Sequence, residues 1–141
     1  ITDYWKDTGT PEDIINANKA ILENLISEFK GKKESTVSIE GNVSTGNETW
    51  IGDQVKIKGP VIIGEKCKIS GNAIIGPNTS IGNECIISGG IIRDSIIMNN
   101  CEIDKNVNLR NSIISSNSNI KQNKIENEQI LLLGEGTKIL F

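Results

Sequence analysis

The chain has 141 residues, 36 % hydrophobic and 23 % charged, with three cysteines, no histidine and a formal net charge of −3. That length suits one domain with at most a short appended element, and the composition is not that of a disordered chain. The mild negative charge leaves no electrostatic footprint for nucleic acid or an anionic membrane surface, and the missing histidine removes the commonest general base and metal ligand.

No long apolar run or signal-like segment is present, and three cysteines without a CxxC pair do not form a secreted disulfide framework. A cytoplasmic protein is expected. The chain starts at Ile1 rather than Met and enters at once on a dense motif, Tyr4-Trp5-Lys6-Asp7-Thr8-Gly9-Thr10-Pro11. This suggests a fragment of a longer protein.

The first predicted element is a helix over residues 10–31. Thr10 suits the N-cap, Pro11 the first helical position, and Glu12 and Asp13 the positive end of the helix dipole. Gly31 suits the C-terminal cap. Ile14, Ala17, Ile21, Leu25 and Phe29 recur at three- and four-residue steps, which predicts an apolar stripe docked against another element.

From Val37 the texture changes. Val55-Lys56-Ile57, Val61-Ile62-Ile63, Cys67-Lys68-Ile69, Ala73-Ile74-Ile75, Thr79-Ser80-Ile81 and Cys85-Ile86-Ile87 each read small, variable, isoleucine. Side chains alternate faces along a strand, so the first and third residues of each triplet point inward and the middle one outward. Between the triplets lie turn-prone residues such as Gly76-Pro77-Asn78 and Gly82-Asn83-Glu84. Three residues of strand and three of turn make the six-residue beat. Three such units close a triangular coil of about 18 residues, and stacked coils pair at the roughly 4.8 Å strand spacing. The expected fold is all-β, a parallel β-helix of about five coils preceded by one α-helix. Three joints run a residue short, at Ile87 to Ile92, Ile92 to Ile97 and Leu109 to Ile114. An irregular polar passage from Lys121 to Gln129 precedes Leu131-Leu132-Leu133 and Thr137-Lys138-Ile139.

The register stacks Ile51, Ile69, Ile87, Ile103 and Ile120 in one inward column. It also aligns Cys67, Cys85 and Cys101 with Thr49 and Ser118. Three aligned sulfurs raise a metal site, but the hydroxyl residues in the same column favour a plain ladder of small buried side chains. Among outward positions, Ile74 and Ile91 should stack on one face and Ile96 and Ile113 on the next, with Ile62 and Ile86 nearby. Together these form an expected contact surface for other subunits or for the helix.

The hexads resemble the left-handed β-helix of hexapeptide-repeat proteins, and left-handed winding is what that resemblance implies. The stretch Tyr4 to Asp13, with Ala17-Asn18, resembles the closing segment of the catalytic domain in sugar-1-phosphate nucleotidylyltransferases, where W-x-D-x-G-T precedes a helix. In that order the two are similar to the long form of glucose-1-phosphate thymidylyltransferase, often archaeal. Gly59 to Gly64, Ile75 to Gly82 and Leu131 to Gly134 add to the likeness. The resemblance implies residues 1–31 as the tail of the nucleotidyltransferase domain with its connecting helix, and 32–141 as the hexapeptide β-helix. It implies a parent reaction of dTTP with glucose 1-phosphate giving dTDP-glucose and pyrophosphate, UTP remaining open as the nucleotide. Asp7 matches the aspartate that helps hold Mg²⁺ there, a hard cation suited to one or two carboxylates plus substrate phosphates.

The fragment by itself then carries no catalytic residue and no cofactor. Its expected role is scaffolding of a homo-oligomer, a trimer or a dimer of trimers, beside its own upstream catalytic domain. The alternative is the acetyltransferase domain of a bifunctional nucleotidylyltransferase. Such domains commonly use a histidine base, and Glu65, Asp94, Glu102 and Asp104 sit at turns or outward positions. A γ-type carbonic anhydrase needs three histidines and is excluded.

Overall fold

The computed structural model describes residues 10–121, 132–133 and 138–140. One helix, α1 (Pro11–Leu22), precedes short strands that are all paired in parallel. They sort into three sheets. The first face stacks Val43–Thr45, Val61–Ile63, Thr79–Ile81, Ile96–Ile97, Ile113–Ile114 and Leu132–Leu133. The second stacks Lys32–Lys33, Trp50–Ile51, Lys68–Ile69, Ile86–Ile87, Glu102–Ile103, Asn119–Lys121 and Lys138–Leu140. The third stacks Ser38–Glu40, Lys56–Lys58, Ile74–Ile75, Ile91–Arg93 and Asn108–Arg110. Consecutive strands fall on successive faces, which is a parallel β-helix of about five coils, as the six-residue beat predicts. Of the C-terminal segments, Leu133 pairs in register with Ile114 and Ile139 with Ile120. The polar passage after Lys121 lies outside the described residues.

Each face sends two columns inward, one large and one small. The predicted column Ile51, Ile69, Ile87, Ile103 and Ile120 is in register and fully buried. Each of these side chains contributes roughly 1.5–3 kcal/mol relative to exposure. On the third face Ile57, Ile75, Ile92 and Leu109 form the matching column. Its small column runs Val55, Ala73, Gly90 and Val107, and at Gly90, on the first shortened joint, φ is +85° and an added Cβ would run into the Val107 carbonyl oxygen. The other two short joints turn on single residues with positive φ, Asp94 and Asn111.

The corners divide their work between two kinds of residue. Positive φ falls on Glu48, Lys66, Glu84, Asn100 and Asn117, not on the neighbouring Gly64 and Gly82. Those glycines serve close approach instead: a Cβ on Gly64 would collide with Gly82 and the Asn83 amide of the next coil. The Asn83 side chain uses that space to accept a hydrogen bond from the Glu65 amide at 2.9 Å.

Helix α1 begins as predicted. Thr10 caps it, the Asp13 N–H donating to Thr10 Oγ1 and the Thr10 N–H to Asp13 Oδ2, both at 3.2 Å, with Pro11 in the first turn. It ends at Leu22, well short of Gly31. Asp13 completing a capping box shows why the start is legible. The end is decided elsewhere: Phe29 leaves the helix to pair in parallel with Thr45 and packs on the end of the coil core. Glu28 and Lys30 complete this rung, the Thr45 N–H donating to the Glu28 carbonyl and the Lys30 N–H to that of Thr45. Pairing a rim that would otherwise expose its backbone outweighs continuing a marginal helix.

The buried face of α1 is also rotated. Ile14, Ile15 and Leu22 are buried, whereas Ala17 is exposed and Ile21 is 73 % exposed. The docked side is thus turned about a quarter-turn from the predicted stripe. The turn brings Asn18 and Lys19 onto the coils. Ser80 Oγ donates to Asn18 Oδ1 at 2.6 Å, Asn18 Nδ2 donates to the Asn78 carbonyl, and Lys19 Nζ lies 3.7 Å from Asp94 Oδ1.

Candidate functional surface

Asp7 and the rest of the Tyr4 to Gly9 motif lie outside the described residues. The six outward isoleucines do not form one patch. Ile74 stacks on Ile91 on the third face, and Ile96 on Ile113 on the first. Ile62 belongs to the first face, separated from Ile96 by Ser80, and Ile86 to the second. Ile113 is buried under Ile14 and Ile15 of α1, with Ile96 half-buried beside it. Ile62, Ile74 and Ile86 remain 38–43 % exposed. Three faces each carry some apolar surface because three triplets close one coil, and the shortened joints keep that order, Ile92 still pairing with Ile75 and Ile97 with Ile81.

The thiol column is assembled as predicted, with all three cysteines buried and free. Each member donates to a main-chain carbonyl: Cys67 Sγ to Gly82, Cys85 Sγ to Met98, Cys101 Sγ to Ser115, at 3.0–3.2 Å. Thr49 Oγ1 reaches the Gly64 carbonyl and Ser118 Oγ that of Ser115. The column therefore selects a small donor, not merely a small residue. The flanking Cys101 and Cys67 thiols, with burial, push the Cys85 thiol far above the ordinary range. Among the described residues no three His, Cys, Asp or Glu side chains are grouped to hold a metal ion.

The candidate carboxylates are dispersed. Asp94 is engaged by Asn78 Nδ2 at 3.2 Å and by Lys19. Asp104 accepts from the Lys105 amide at 2.7 Å, and Glu65 and Glu102 are exposed. Among the described residues these carboxylates form no pair for proton transfer.

A feature that residue patterns did not single out lies on the second face. Trp50 stands between Lys32 and Lys68 in one outward column. Its indole Nε1 donates to Glu34 Oε2 at 2.7 Å, and Lys68 Nζ sits 5.7 Å from the ring centroid. Glu48, Trp50, Lys66, Cys67 and Lys68 line an open depression of about 630 Å³. A lone tryptophan in the variable slot of a triplet, flanked by lysines one coil away, was the available signal. No described helix is long and apolar enough to cross a membrane.

Residues 57–140 match the model of the GMPPB C-terminal domain. Over 140 residues, 99 % of this chain and 39 % of the relative, the sequence is 31 % identical to the glucose-1-phosphate thymidylyltransferase of Streptomyces antibioticus. It is 52 % identical over 40 residues to the bifunctional protein GlmU of Methanococcus maripaludis, covering 28 % of this chain and 10 % of that protein. The same share of this chain is 38 % identical to the low-salt glycan biosynthesis nucleotidyltransferase Agl11 of Haloferax volcanii, over 11 % of its length. The chain spans less than half the length of the curated relatives it matches. With parallel coils, hexad register and a match over more than half its residues, the chain belongs to the GMPPB C-terminal domain family.

Proposed function

We propose that this chain is the C-terminal β-helix of a sugar-1-phosphate nucleotidylyltransferase and holds copies of that enzyme together. The observation that carries this reading is the 31 % identity to a glucose-1-phosphate thymidylyltransferase across 99 % of the chain. The parent reaction is then attack of a glucose 1-phosphate oxygen on the α-phosphorus of dTTP or UTP, with pyrophosphate leaving. Asp7 would supply one carboxylate to Mg²⁺, and one carboxylate is not a magnesium site without substrate phosphates and further ligands. Among the described residues the coil carboxylates are dispersed, and the chain has no histidine.

A homo-oligomer, a trimer or a dimer of trimers, is supported by Ile62, Ile74 and Ile86, each left open on a different face. The upstream catalytic domain is the other partner. Reduced, buried thiols suit a cytoplasmic setting. The acetyltransferase alternative draws on the GlmU match, which covers 28 % of the chain.

The test restores the upstream residues and measures pyrophosphate release with Mg²⁺, glucose 1-phosphate and either dTTP or UTP, alongside Asp7→Asn. Release that falls by orders of magnitude in the variant supports the assignment and ranks the nucleotides. Absence of release with either nucleotide, or an acetyl-CoA-dependent activity in its place, would overturn it. For the scaffolding role, light scattering at micromolar concentration should give an assembly that Ile74→Glu weakens; a clean monomer refutes it.

A further inference from the structure

The outward slot of the second face accepts unrelated side chains, Lys32, Lys68, Ile86 and Glu102 on other coils. Folding therefore does not require an indole at position 50. The ring is nonetheless held firmly. Glu34 fixes its nitrogen at 2.7 Å, and a Cβ on Gly52 would lie 2.8 Å from the ring, so glycine lets the indole lie down along the coil. A surface aromatic locked in one orientation loses little freedom when something stacks on it.

Its surroundings indicate what that is. Lys66 and Lys68 line the same depression, Lys32 occupies the next rung of the column, and all three lysines are exposed. Lys68 rests over the ring in a cation–π contact, and a base stacking there would take its place on the ring while the ammonium turns to the phosphates. Glu48, on the same rim, is placed to accept from a base N–H or a ribose hydroxyl. The depression is open to solvent, so a ligand there would be held on one side by the indole and the lysines and not enclosed.

We propose that this depression binds a single nucleoside phosphate, its base stacked on the Trp50 indole and its phosphates held by Lys66 and Lys68. A lone aromatic among ammonium groups matches a planar base carrying anionic oxygens. The chain's net charge of −3 disfavours a long polyanion.

The test uses the 141-residue chain carrying Trp5→Phe, so that Trp50 is its sole tryptophan. ADP and UDP should each quench its emission saturably, and added salt should weaken the effect. The double variant Lys66→Gln/Lys68→Gln should bind about tenfold more weakly with unchanged thermal unfolding. Trp50→Leu, followed by calorimetry, should lose binding by about tenfold or more while its circular dichroism is retained. The proposal is overturned by absence of saturable quenching at millimolar nucleotide. It is equally overturned if pyrophosphate alone binds as well as ADP and UDP, or if the lysine variant binds undiminished. A blue shift on concentrating the protein without nucleotide would mean that a second copy covers the indole, and would also overturn it.

Discussion

At the corners of the coil the residue with positive φ is frequently Glu, Lys or Asn, and Gly64 and Gly82 nearby serve close approach. An L-residue in that region costs roughly 1–2 kcal/mol, which the inter-coil hydrogen bonds at each corner offset. Gly90 combines both demands, positive φ and contact with the Val107 carbonyl. Gly90→Ala should lower stability by about 2 kcal/mol or more, seen as a reduced urea midpoint with an unchanged slope. The thiol column gives a second residue-scale expectation. Cys85→Ser keeps the donor to Met98 and should stay within about 1 kcal/mol of the parent, whereas Cys85→Leu should cost about 1–3 kcal/mol by overpacking. Since burial and the neighbouring thiols keep Cys85 protonated, an aromatic disulfide reagent should leave it unmodified in the folded protein and modify all three cysteines after denaturation.

The element that most affects the outer shape is α1. It crosses the first face, with Ile14 and Ile15 over Ile113 and Asn18 bonded at Ser80. Its attachment combines one apolar cluster with polar clips, and the Lys19–Asp94 pair, 38 % and 19 % exposed, contributes at most a fraction of a kcal/mol. Thr10→Ala should cost about 1 kcal/mol by removing the capping box, read as faster amide exchange in α1. Exchange in the coil strands should not change, because the coils bond to one another and not through the helix backbone.

For the whole molecule, each coil rests only on its neighbours, so stability is close to a sum of coil and interface terms. A lesion in the middle should therefore be felt by both halves. Ile87→Ala, in the fully buried central column, should cost about 2–5 kcal/mol. Unfolding followed by circular dichroism and by Trp50 fluorescence should then separate into two transitions if coupling between coils is lost, and stay coincident in the parent. The first rim is closed by Phe29 pairing with Thr45, which removes an open edge that another chain would otherwise extend.

The amino-acid order by itself determined the coil. Strand alternation has a fixed period of two, so the small, variable, isoleucine triplet settles which side chains go inward, and the count to the next triplet settles which residues stack. Ile51 over Ile69 over Ile87 and the Cys67, Cys85, Cys101 column follow from that count alone. The start of α1 was equally legible, since a cap is a local bond between Thr10 and Asp13. Its end and its buried side were not, because Ile14, Ala17, Ile21 and Phe29 satisfy helical spacing whether or not the coils offer them a surface. Only the tertiary structure decided that Phe29 closes a rung, that Ile21 faces outward, and that α1 covers Ile113 while Ile62, Ile74 and Ile86 stay exposed. The same holds for Trp50. Its sequence neighbours are Thr49, Ile51 and Gly52, and its partners Glu34 and Lys68 meet it only when successive coils are laid one upon another.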